Sequence, residues 1–75
     1  MERYKNLGGN SGVVSYDIVN DSITVQFRDG SVYLYNNYNP GSGNVEHMKS
    51  LAISGRGLNG FISSVIRKNY SRKLR

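Results

Sequence analysis

The chain has no cysteine, no tryptophan, one proline and one histidine in 75 residues. Without cysteine there is neither a disulfide framework nor a thiolate metal site, which fits a reducing compartment. The lone histidine, His47, excludes a two-histidine metal site built within the chain, and its place beside an apolar helical stripe marks it as an exposed helix residue. No stretch approaches the roughly 20 apolar residues that cross a bilayer, and Met1-Glu2-Arg3-Tyr4-Lys5-Asn6-Leu7 lacks the apolar centre of a signal peptide. The expectation is therefore a cytoplasmic protein without membrane association, metal or cofactor. A chain this short buries only about 60% of the surface its unfolded form exposes, so it can build one small core.

Acidic residues are also missing from the second half. Residues 1 to 46 carry three basic and five acidic groups, whereas residues 47 to 75 carry seven basic groups and no acidic one, giving the net charge of +5. Arg67, Lys68, Arg72, Lys73 and Arg75 crowd the C-terminal end, where they would attract phosphate or an acidic protein in a salt-dependent way. The same cations would also complement a helix C-terminus and keep a small domain dissolved, and both explanations stand at this level. The carboxylates are scattered: Asp21 and Asp29 fall in turns, Glu46 at a helix start and Asp17 alone on a strand, so no pair is placed for acid–base work. Serines are plentiful but lack a base to activate one, so an enzyme is not expected.

What the chain does contain is strand and turn chemistry. Asp29-Gly30 between Val25-Gln26-Phe27 and Val32-Tyr33-Leu34-Tyr35 predicts a hairpin with a two-residue loop. Counting outward pairs Phe27 with Val32, Gln26 with Tyr33, Val25 with Leu34 and Thr24 with Tyr35. A second turn at Asn20-Asp21 joins residues 13–18 to 23–28 and pairs Ile18 with Ile23, Tyr16 with Val25 and Val14 with Phe27. Tyr16, Val25, Phe27, Val32 and Leu34 then face the core, while Tyr33 and Tyr35 share the opposite face with Gln26 and Arg28.

Residues 1 to 12 end in Gly8-Gly9-Asn10-Ser11-Gly12 and read as a flexible arm. Beyond the glycine-rich loop at 41–43, Asn44 can cap a helix whose Val45, Met48, Leu51 and Ala52 form one face and which stops at Gly55. Leu58, Phe61, Ile62, Val65 and Ile66 give a second apolar stripe at offsets of three and four. The order predicts an α+β domain over 13–70: a three-stranded antiparallel meander followed by two helices on one sheet face, with residues 71–75 a projecting basic tail.

The segments Val25-Gln26-Phe27, Asp29-Gly30, Tyr33-Leu34-Tyr35, Leu51-Ala52-Ile53-Ser54-Gly55 and Leu58-Asn59 through Tyr70 resemble the KTSC domain. This short domain is named for its occurrence at the C-terminus of some lysyl-tRNA synthetases, and it is also found alone in bacterial proteins. The resemblance covers about Val13 to Tyr70 and implies the fold more firmly than an activity, RNA binding having been proposed for the family by association. This chain departs from the family in inserting Asn36-Asn37-Tyr38-Asn39 before Pro40.

Two function classes follow. One is a non-enzymatic module for single-stranded RNA, in which bases stack on Tyr33 and Tyr35, Gln26 and Arg28 bind edges or phosphate, and Arg67, Lys68, Arg72 and Lys73 attract the backbone. The other is a protein-interaction or self-association module using the tyrosine face or a strand edge; tyrosines that merely stabilise the sheet are a third account of the same pattern. Gly55-Arg56-Gly57-Leu58-Asn59-Gly60 matches the spelling G-x-G-x-x-G, but a helix and not a strand precedes it, so no dinucleotide site is expected. Arg56 beside a helix start remains a candidate for holding one phosphate.

Overall fold

A computed structural model describes all 75 residues. The chain forms an antiparallel sheet in sequential order, β1 (Glu2–Arg3), β2 (Val13–Val19), β3 (Ser22–Phe27), β4 (Val32–Asn36) and β5 (Arg72–Lys73). Helices α1 (Ser42–Ser54) and α2 (Leu58–Phe61) lie between β4 and β5 in the chain, and α2 runs on into a π-helical turn, Ile62–Ile66. The α+β class and the helices on one side match expectation; the sheet has five strands where three were expected.

Both extra strands are edges, made from the segments expected to be arm and tail. Glu2 and Arg3 pair with Tyr16 and Ser15, and the Tyr4 amide donates to the Val14 carbonyl at 2.9 Å. Tyr4 then enters the core at 4% exposure, which fixes a segment whose glycines alone would leave it unordered. At the other end Arg67 adopts φ 55° and breaks the helix, so the basic residues after it do not project as further turns. The Ser71 amide bonds the Leu34 carbonyl at 2.8 Å, and Arg72 and Lys73 pair with Leu34 and Tyr33.

The β2–β3 hairpin has the expected register near its turn, with Ile18 opposite Ile23 and Tyr16 opposite Val25. A bulge between Val13 and Ser15 then ejects Val14 and places Val13 against Phe27, so Val13 is the buried residue. The β3–β4 hairpin is displaced by one residue from expectation. The Gly30 amide donates to the Phe27 carbonyl and the Phe27 amide to the Ser31 carbonyl, both at 2.9 Å, leaving Arg28, Asp29 and Gly30 in the loop. Of these only Gly30 has positive φ, at 90°, as in a three-residue turn that ends in a glycine bulge; a two-residue Asp-Gly turn needs both residues there. Tyr33 therefore opposes Val25 and Tyr35 opposes Ile23, on the helix side of the sheet.

Parity in β4 is thus the reverse of that expected. Tyr35 is 1% exposed in the core, whereas Val32 and Leu34 lie on the far face with Gln26 and Thr24. Val32 is nonetheless buried, because its backbone carries the chain end: its amide donates to the Arg75 carbonyl and its carbonyl accepts from the Leu74 amide. Above the tyrosines sit Val45, Met48 and Ala52 of α1 and Leu58, Ile62 and Ile66, all buried. Val65, expected in the second stripe, is 56% exposed. The π-helical turn, marked by the bond from the Arg67 amide to the Ile62 carbonyl, advances each residue through a smaller angle and rotates Val65 outward. Lys49 ties α1 to the β2–β3 turn, its buried ammonium donating to the Asn20 carbonyl at 2.8 Å and to Glu46 at 3.0 Å.

Candidate functional site

The reversed parity creates the principal concavity. Where β3 and β4 approach their turn, the inner face is not fully covered by the helices, and a cleft of about 470 Å³ opens there. Phe27, Tyr33 and Tyr70 form its floor and wall, with Tyr35 beneath. Tyr33 and Tyr70 lie 4.6 Å apart between ring centres with planes inclined at 56°, and Phe27 meets Tyr33 edge-on at 5.7 Å. Such tilted and edge contacts are favoured by the ring quadrupoles and hold the wall in one arrangement. Tyr70 reaches this place because Arg67 turns the chain out of the helix and β5 draws it back to β4.

The rim is cationic. Arg28 is in the three-residue turn, Arg67 and Lys68 follow the π-helical turn, and all three line the cleft. Lys73 places its ammonium 5.7 Å from the Tyr33 ring centre, within cation–π range. One carboxylate, Asp29, shares the rim, and its Oδ1 accepts from the Ser31 hydroxyl at 2.6 Å and the Ser31 amide at 3.0 Å. Those bonds hold the Asp29 carboxyl below the usual range, with a smaller contribution from Lys73, so it serves the turn as an anion. The only ion pair in the molecule is Lys49 with Glu46, which leaves Arg28, Arg67 and Lys68 without a carboxylate partner. Burial, with the neighbouring Tyr33 and Tyr70, pushes the Tyr35 phenol far above its ordinary value and keeps it neutral.

Of the residues singled out from sequence, Tyr33, Arg28, Arg67 and Lys68 meet at this cleft, with Lys73 beside it. Tyr35 does not belong to an open stacking platform, because the turn's extra residue sends it under the helices. Gln26 points to the opposite face, where its Oε1 accepts from the Ser15 hydroxyl at 2.9 Å, and Arg72 shares that face with Leu34. Arg56 lies away from the aromatic cleft, in a hollow with Asn6 and Asn59. The helix start beside it does not offer a free donor at Leu58, whose amide bonds the Tyr4 hydroxyl at 3.3 Å. His47 is exposed and packs edge-on against Phe61 at 4.5 Å.

Sequence reasoning missed Phe27, read only as core, and Tyr70, read only as the end of a helix. A signal for Tyr70 existed in the failure of the apolar stripe after Ile66, which marks where a helix can end and a new course begin. No group of three or more His, Asp or Glu residues is gathered to hold a metal ion, and no helix is long and apolar enough to cross a membrane. No protein-family model, curated protein or solved structure matches the chain.

Proposed function

We propose that this chain is a small non-enzymatic cytoplasmic module that binds single-stranded RNA, seating a base against Tyr33 and Tyr70 and its phosphates on Arg28, Arg67 and Lys68. Membership of the KTSC family, on the segments that resemble it, is part of the same proposal. The observation that carries it is the joining of aromatic walls to unpaired cations around one cleft. An apolar ligand alone would leave the three rim cations unused, and a bare phosphate would leave the ring faces unused. A nucleotide satisfies both, and about 470 Å³ falls within the roughly 300–1,000 Å³ range of small-ligand sites.

The competing reading as a self-association module has less to use. Of the tyrosine pair it would bury, Tyr35 is already inside, and the edge strands β1 and β5 are only two residues long, too short to template pairing with another sheet.

Titration of labelled oligouridine at two salt concentrations tests the proposal. Tyr70→Leu should weaken binding by about 1–3 kcal/mol, the usual worth of one stacked base, while R67Q/K68Q should lower the salt slope by about 0.7 per lost phosphate contact. Unchanged affinity in both variants, with folding intact, contradicts the proposal. A dimer in sedimentation with no RNA binding supports self-association.

A further inference from the structure

The aromatic cleft is one of three hollows that share their walls. Arg28 borders both the cleft and a second hollow of about 330 Å³, which Arg3 and Lys5 also line. Asn6 and Ser11 border the second and a third of about 190 Å³, which ends at Arg56. The Arg28 amide bonds the Gly12 carbonyl at 2.8 Å, so the turn and the N-terminal segment form one continuous wall between the hollows. Six cations are thereby strung along a single path: Lys68 and Arg67, then Arg28, then Arg3 and Lys5, then Arg56. None has a carboxylate partner, and only Asp29, already bonded to Ser31, interrupts the path with opposite charge.

A mononucleotide would occupy one end of such a track and leave Arg3, Lys5 and Arg56 unused. A folded acidic domain holds its charges at fixed places on a convex surface, whereas a flexible polyanion with regularly spaced charges can follow one hollow into the next. We infer that the N-terminal segment is a second binding subsite: a single-stranded nucleic acid anchored by one base in the aromatic cleft runs past Arg28, over Arg3 and Lys5, toward Arg56. The inference rests on the base-binding role proposed for the cleft, and it assigns function to a segment whose glycines otherwise suggest a passive arm.

Uridine monophosphate, a uridine trinucleotide and a hexanucleotide, titrated into the full chain, separate the two claims. The hexanucleotide should bind at least about tenfold more tightly than the monophosphate, with a salt slope that rises by about 0.7 for each added phosphate contact. The R3Q/K5Q variant should lose most of that gain while binding the monophosphate as the parent does, and R67Q/K68Q should weaken both. Arg3 and Lys5 are exposed, and glutamine keeps the Cβ that packs near Gly55, so the melting temperature should stay unchanged. Monophosphate binding with no gain or slope change on lengthening overturns the subsite alone. No saturable binding of any of the three overturns the cleft as well. Polyglutamate binding as tightly as the hexanucleotide, with the same loss in R3Q/K5Q, overturns the nucleic-acid assignment in favour of an acidic chain. If R3Q/K5Q does not fold, the single variants R3Q and K5Q decide the matter: each should lose part of the gain on lengthening, and an unchanged gain in both overturns the subsite.

Discussion

The two hairpins use similar sequences to opposite effect. At the β2–β3 turn, Asn20-Asp21 occupies a two-residue loop between Val19 and Ser22, neither residue at positive φ, and the register follows from counting. At the β3–β4 turn, Asp29-Gly30 is the stronger hairpin signal, yet the loop takes in Arg28 as well, and every side chain of β4 changes face. The burial pattern explains which solution wins. The observed register puts Tyr35 under the helices and Tyr33 beside it on the inner face, and moves Val32 and Leu34 to the far face, where the chain end still covers Val32; the larger aromatic side chains bury more area. The turn permits either loop length; the core selects between them.

Substitution in β4 should show the largest effect. Tyr35→Ala should cost about 3–5 kcal/mol in urea unfolding, as for other large aromatic truncations in cores, and Leu34→Ala distinctly less. The reverse ranking would restore the expected parity and remove the cleft. Alkaline titration offers a second contrast. Because burial raises the Tyr35 phenol above its ordinary 10.0, the unfolded state loses that proton first. The contribution of Tyr35 to stability should be complete below pH 10, about the unfolded value, and be lost as pH rises toward the folded one. In Tyr35→Phe the alkaline loss of stability, followed by circular dichroism, should be smaller; an identical loss contradicts the buried phenol.

The turns themselves should respond less. Gly30→Ala forces a Cβ into φ 90° and should cost about 1–2 kcal/mol, whereas Asp21→Gly relieves no strain and should cost about 0.5–1 kcal/mol through chain entropy alone. A stabilising Asp21→Gly would mean that the first turn also needs a positive φ.

Much of the scaffold was legible in the residues, and the exceptions have physical causes. Val45, Met48 and Ala52 repeat at helical spacing and end at Gly55, whose φ of 78° and bonds to the Leu51 and Ala52 carbonyls close α1. Ile18, Tyr16, Ile23 and Val25 alternate long enough to fix β2 against β3. Strands of two residues carry no period, so β1 and β5 could not be read from pattern. The π-helical turn was hidden because Leu58, Ile62 and Ile66 also satisfy an α-helical stripe, and only Val65 distinguishes the two. At the candidate site, charge asymmetry pointed to Arg67 and Lys68, but the partners that complete the cleft, Phe27 and Tyr70, depend on tertiary routes. Gln26 was drawn in by a parity that one loop residue reverses, and Arg72 by the charge run, before its pairing with Leu34 in β5 sends it to the far face.

Cross-strand nuclear Overhauser contacts test that parity most directly. Backbone contacts joining Val25 to Tyr33 and Ile23 to Tyr35, with ring protons of Tyr35 near Met48 or Leu58 in the same buried cluster, are the predicted result. Contacts joining Val25 to Leu34 and Thr24 to Tyr35 would contradict it, and with it the cleft on which the binding proposal stands.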